Sequence, residues 1–88
     1  MLVDKLKALA DETRLGIINH LFSGKKSVSQ IVMHVKKSQP SVSISLKQLT
    51  FAGIVKRTRS GKNIYYELMD MVKIKRLLEL LKEGAGNE

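Results

Sequence analysis

Residues 38–49 read Ser-Gln-Pro-Ser-Val-Ser-Ile-Ser-Leu-Lys-Gln-Leu. The run has the period of a short helix whose rear is Val42, Leu46 and Leu49. Ser38 caps it, and Pro40 sits in its first turn, where no backbone donor is lost. Its front carries small hydrogen-bonding side chains and neither bulk nor acid. A helix made only for a core or for solvent rarely has such a front, which suits close approach to another polar surface.

The charge around this helix is one-sided. From Thr13 to Tyr66 there is no Asp or Glu, while Arg14, Lys25, Lys26, Lys36, Lys37, Lys47, Lys56, Arg57, Arg59 and Lys62 are cationic. The two ends hold the other six cations and all eight acids. The net charge of +8 is therefore concentrated, as contact with a polyanion requires. A polar-faced helix inside an acid-free basic segment points to a reader of nucleic acid.

Eighty-eight residues make one small domain, marginal alone, and without cysteine it has no disulfide or thiolate ligand to staple it. A core shared between two copies is the natural remedy. No run approaches the ~18 apolar residues of a membrane span. The N-terminus lacks the apolar segment of a signal peptide. The expected location is the cytoplasm, with no membrane partner.

Outward from residues 38–49 the periods are clear. Leu2, Leu6 and Leu9 mark a first helix. Asp11 caps a second, with Leu15, Ile18, Leu21 and Phe22 inward and Gly24 near its end. Ser27 and Gln30 form a capping box for a third, with Val28, Ile31, Val32 and Val35 on its buried face. Lys36-Lys37 leads into a turn and then the fourth helix, which Gly53 ends. Residues 54–59 and 62–68 are two strands, with Ser60-Gly61 as the turn between them. Asp70 caps a fifth helix marked by Val72, Ile74, Leu77, Leu78 and Leu81. The fold is mainly α with a small β-hairpin, a winged helix-turn-helix of four helices, two strands and a fifth helix. Residues 1–83 form the DNA-binding and dimerisation domain, and residues 84–88 a flexible tail.

Leu6-Lys-Ala-Leu-Ala-Asp-Glu-Thr-Arg-Leu15 resembles the N-terminal signature of the ArsR-type winged-helix repressors. So do residues 38–49, with their Gln, Val-Ser and Leu-Lys-x-Leu spacing. Ala52-Gly-Ile-Val55 and Gly61-Lys-Asn-Ile-Tyr-Tyr-Glu-Leu68 resemble that family's wing. The resemblance spans about residues 5–68. It implies a homodimer built from the first and last helices, two recognition helices in successive major grooves of a palindromic operator, and repression of transcription. Many members release DNA on binding a metal, through cysteines near the third helix or Asp and His on the last. Both sets are missing here: there is no cysteine, and residues 70–83 hold no histidine.

These readings define a site. Gln39 lies where a recognition helix meets base edges, and its amide suits adenine N6 and N7. Ser41, Ser43 and Ser45 bond bases or phosphates, and Ile44 meets a thymine methyl. Pro40 and Gln48 complete the face. Lys37, Ser38 and Lys47 suit phosphates. Arg59, Lys62 and Asn63 flank the hairpin tip and reach the neighbouring backbone or minor groove; Arg57 does the same or packs along the sheet. The expected dimer interface is Leu2, Leu6, Leu9, Ile74, Leu77, Leu78 and Leu81, since so small a chain has little else to cover that stripe. Tyr66 reads as core, and Arg14 as an ion-pair partner. His20 and His34, fourteen residues apart on different helices, read as ordinary histidines, not metal ligands. No nucleophile–base constellation is present, so the chain is not an enzyme, and no cofactor or effector is identified. Two alternatives remain open: a winged-helix protein-interaction module, and a non-specific architectural nucleic-acid binder.

Overall fold

A computed structural model of the chain describes residues 2–86. The elements are α1 (Leu2–Leu9), α2 (Glu12–Leu21), β1 (Lys26–Ser27), α3 (Val28–Val35), α4 (Gln39–Phe51), β2 (Val55–Ser60), β3 (Asn63–Leu68) and α5 (Met71–Gly86). The three strands form one antiparallel sheet in the order β1-β3-β2. The short α3–α4 connection makes the helix-turn-helix, and the β2–β3 hairpin makes the wing.

Each helix start expected from the sequence is built as the side chains dictate. Asp11 Oδ2 accepts the Arg14 amide at 3.0 Å. Ser27 Oγ accepts the Gln30 amide at 3.2 Å while Gln30 Oε1 accepts the Ser27 amide at 2.8 Å, a closed capping box. Ser38 Oγ takes the Ser41 amide at 3.2 Å, and Asp70 Oδ1 the Lys73 amide at 3.0 Å. These local bonds satisfy donors that a first helical turn otherwise leaves to water. The turn into α4 passes through Lys36 in the left-handed region, φ 56°, while its amide closes on Val32 O. That conformation ends α3 and lets the chain reverse within three residues.

The core is one cluster. Leu9 of α1, Ile17, Ile18 and Leu21 of α2, Ile31 of α3, Val42, Leu46 and Leu49 of α4, Ile54 and Val55, Leu68 of β3, and Ile74 and Leu77 of α5 are all buried. Tyr66 packs against this cluster, as expected. Helix α5 crosses back to pack on α1. The Lys5 Nζ donates to Ala52 O at 3.2 Å, tying α1 to the C-terminal end of α4. A cation there also complements the negative end of the helix dipole.

Three details differ from the sequence reading. The hairpin turn is Gly61-Lys62, because Ser60 pairs with Asn63 inside the ladder. Gly61, φ 62°, takes the first turn position, where a two-residue hairpin needs positive φ. Strand β1 is new; it gives β3 a second partner through Lys26↔Tyr66 and Ser27↔Tyr65. Helix α5 runs through residues 84–86, assigned above to the tail, while Asn87 and Glu88 lie outside the described residues.

Three residues of the expected dimer interface are taken up by the chain's own core. Leu9, Ile74 and Leu77 are buried within their own chain, and Leu6, Leu78 and Leu81 are half-buried against the same core. The amphipathic stripe of α5 packs first on its own domain, so Ile74 and Leu77 offer no surface to a partner, while Leu78 and Leu81 keep part of theirs. The side chain of Leu2 lies outside the described residues. The large apolar side chains of α1 and α5 that stay exposed are Val3, Met71, Val72 and Leu80.

Candidate nucleic-acid interface

Helix α4 turns Val42, Ser45, Leu46 and Leu49 inward. Successive side chains step by about 100°, so the direction opposite this stripe is occupied by Pro40, Ile44, Lys47 and Phe51. All four are exposed, as are Gln39, Ser41 and Ser43 beside them. Ser45 is 7% exposed, three residues from Val42 and on its side of the helix. It faces the core and not a groove, which corrects its assignment as a DNA contact. Gln48 is exposed but already engaged, since its Oε1 accepts from Arg14 Nη1 at 2.7 Å.

Around α4 stand the cations. Lys37 is exposed in the turn before it. In the wing, Val55, Arg57 and Arg59 alternate along β2 opposite Leu68, Tyr66 and Ile64, so both arginines share the core-side face of the sheet, beyond the core itself. Arg57 closes a cleft with Lys47, Thr50, Phe51 and Tyr66 between α4 and the sheet. Lys56 turns to the other face and pairs with Glu67 across the ladder at 3.1 Å. At the hairpin tip Arg59 Nε donates to Gly61 O at 3.3 Å, and Lys62 and Asn63 are exposed. The result is a polar helix front between basic flanks. That arrangement suits phosphate contacts on both sides of a groove and hydrogen bonds to base edges between them.

Two features of the site escape the sequence reading. Phe51 is 95% exposed on the outward line of α4. The signal was available, for it lies nine residues after Val42 and hence half a turn away from it. Among the described residues Arg14 forms no ion pair of the kind expected. Its guanidinium donates to Ala8 O, to Lys7 O at 3.3 Å and to the Gln48 side chain, all neutral oxygens. It braces the end of α1 against α4.

The two histidines are not independent. The rings of His20 on α2 and His34 on α3 stack with centroids 3.9 Å apart and planes 7° from parallel. An imidazole ligates in the plane of its ring, so two parallel rings in this arrangement cannot share one ion. No group of three or more His, Cys, Asp or Glu suited to a metal occurs among the described residues. Burial, then His34, then Lys26 hold the His20 pKa below its ordinary value. Gln30 and Met33 line the same recess and offer no negative charge to offset this. A histidine with a lowered folded-state pKa binds fewer protons folded than unfolded. Its stabilising contribution is present above pH 6.5 and is lost as the pH falls through the folded value. Thermal melting at pH 7.5 and at pH 5 therefore shows a smaller loss of stability for His20→Gln than for the unaltered chain. An equal loss in both would remove His20 from this account.

Comparison with known proteins agrees with this geometry. The family described as bacterial regulatory protein, arsR family, matches residues 11–57. An uncharacterised helix-turn-helix-type transcriptional regulator of Methanocaldococcus jannaschii is 39% identical over 79 residues, covering 88% of this chain and 86% of that protein. A probable mercury resistance operon repressor of Streptomyces lividans is 38% identical over 64 residues, 73% of this chain. The alignment takes in 51% of that repressor, so this chain spans about half the length of some relatives it matches. Among solved structures, the homodimeric winged helix-turn-helix DNA-binding domain of a possible ArsR-family regulator from Mycobacterium bovis superposes with a TM-score of 0.79. It is 29% identical and covers 97% of this chain and 79% of that one.

Proposed function

Because the chain belongs to the arsR family of bacterial regulatory proteins, a family of DNA-binding transcriptional regulators and not of enzymes, we propose that it binds a palindromic duplex operator as a homodimer and represses transcription. The observation that carries this reading is the exposed front of α4, where Gln39, Ser41 and Ser43 stand beside Pro40, Ile44 and Lys47, free of acid and flanked by Lys37, Arg57, Arg59 and Lys62. In each protomer Gln39 and Ser43 read base edges, and Ile44 packs on a thymine methyl. Lys37, Ser38 and Lys47 grip phosphates on one side of the groove. The wing, through Arg57, Arg59, Lys62 and Asn63, grips those on the other. Exposed apolar side chains of α1 and α5, Val72 and Leu80 among them, meet their copies in the partner, which supplies the twofold axis that a palindrome requires. No helix among the described residues is long and apolar enough to cross a membrane, in keeping with action in the cytoplasm, where the DNA is.

The test separates reading from gripping. In the Gln39→Ala/Ser43→Ala variant, affinity for a site selected from random duplexes falls by about tenfold to a hundredfold, while affinity for unrelated duplex changes little. Lys47→Gln lowers both together and flattens their salt dependence. Equal losses on every duplex in the first variant would remove base readout and leave the architectural alternative.

A further inference from the structure

The outward side of α4 does not end at the polar face. Beyond it, between the end of α1 and the C-terminal half of α4, lies a cleft of about 620 Å³. Its apolar surface is made by Ala8, Phe51 and Ala52, and its rim by Lys7, Arg14 and Lys47. None of the described residues lining it is acidic. The volume falls within the few hundred to about 1,000 Å³ usual for small-ligand pockets. Phe51, 95% exposed, is a large aromatic ring left in water, and covering its face is favourable. Among the described residues the oxygens that hold Arg14 are all neutral and compensate none of its charge, and its fork of five donors exceeds the three bonds it makes to them.

We infer that this cleft binds a small amphiphilic anion, a carboxylate or sulfonate on an apolar body, and that this ligand and duplex DNA exclude each other through Lys47. The exclusion rests on the DNA face proposed above; the binding does not. The apolar body lies along Phe51, Ala8 and Ala52, and the acid group meets Lys7, Lys47 and the spare Arg14 donors. A guanidinium fork matches a carboxylate in shape as well as charge. An uncharged ligand of the same shape forgoes these bonds. Lys47 belongs both to this rim and to the phosphate-gripping flank, so it cannot serve both ligands at once.

The probe is phenylbutyrate, with phenylbutanol as its uncharged counterpart, titrated into the isotope-labelled full chain without DNA and followed by amide NMR. Saturable shifts are expected at Ala8, Gln48, Phe51 and Ala52. The alcohol binds about tenfold more weakly than the acid, and Phe51→Ala weakens the acid by a similar factor, whereas Phe51→Leu largely keeps it. Equal binding of acid and alcohol, shifts centred elsewhere, or unchanged affinity in Phe51→Ala overturns the site. Sedimentation of the unaltered chain and Phe51→Ala checks for another occupant. Self-association that depends on Phe51 means that a second copy covers the ridge, and also overturns it. In the second arm, saturating phenylbutyrate lowers affinity for duplex DNA at fixed ionic strength and phenylbutanol does not. Unchanged DNA affinity overturns the exclusion alone. A chain that binds phenylbutyrate but no duplex at all overturns the proposed function together with the exclusion, and leaves the ligand site standing.

Discussion

The Val72→Asp/Leu80→Asp variant is expected to sediment as a folded monomer and to bind a palindromic duplex about a hundredfold or more weakly than the unaltered chain. Val72 is 81% exposed and Leu80 is half-exposed, so neither change disturbs the domain's own core. In a symmetric interface each substitution appears twice, and four carboxylates would have to leave water against apolar neighbours. The loss on DNA follows from linkage. Once one recognition helix of a dimer is seated, the second binds at a high effective concentration, an advantage a monomer does not have. Sedimentation equilibrium and duplex titration on the same preparation measure both halves. A variant that stays dimeric would place the interface elsewhere, and a monomer with full affinity would remove the bivalent mode of binding.

Leu49→Ala is expected to lower the stability of the chain by about 3 kcal/mol, read from urea unfolding at fixed protein concentration. Leu49 is fully buried on the inward line of α4, among core residues drawn from every helix. Its removal strips packing from the one helix that must be rigid to read DNA. A domain of this size has about 5–15 kcal/mol in total, so the change takes a large share of its stability. The control lies two residues away. Phe51→Ala, at the most exposed apolar position of the same helix, changes stability by about 0.5 kcal/mol or less. Similar losses at both positions would mean that the inward and outward sides of α4 are wrongly assigned.

The contrast between Leu49 and Phe51 also marks what the sequence made legible. Helix starts were readable because an Asp or Ser cap and its amide partner lie within three residues of each other, as at Asp11, Ser27, Ser38 and Asp70. Helix faces are readable from the period alone, and that arithmetic, carried through, puts Ser45 inward and Phe51 outward, where the structure has them. Chemical type overrode that arithmetic: serine reads as a groove contact, and phenylalanine draws no attention as a surface residue. The leucines of α5 were legible as apolar, but only the packing of α5 on α1 shows that Leu77 is buried in its own domain, Leu78 and Leu81 half-buried and Leu80 left exposed. The His20–His34 stack depends on how α2 crosses α3, and strand β1 is two residues long and so has no period to detect. Arg14 was readable as structural, but its partners are backbone and amide oxygens whose positions only the fold supplies.

The account stands or falls on two recognition helices, related by a twofold axis, meeting one face of a double helix. Hydroxyl-radical footprinting on a duplex selected by the chain from random sequence tests this most directly. The expected result is a dyad-symmetric pattern on both strands, with protected patches centred about one helical turn, ~10–10.5 base pairs, or a multiple of it apart. A single unpaired patch, or uniform protection with no dyad, would contradict it.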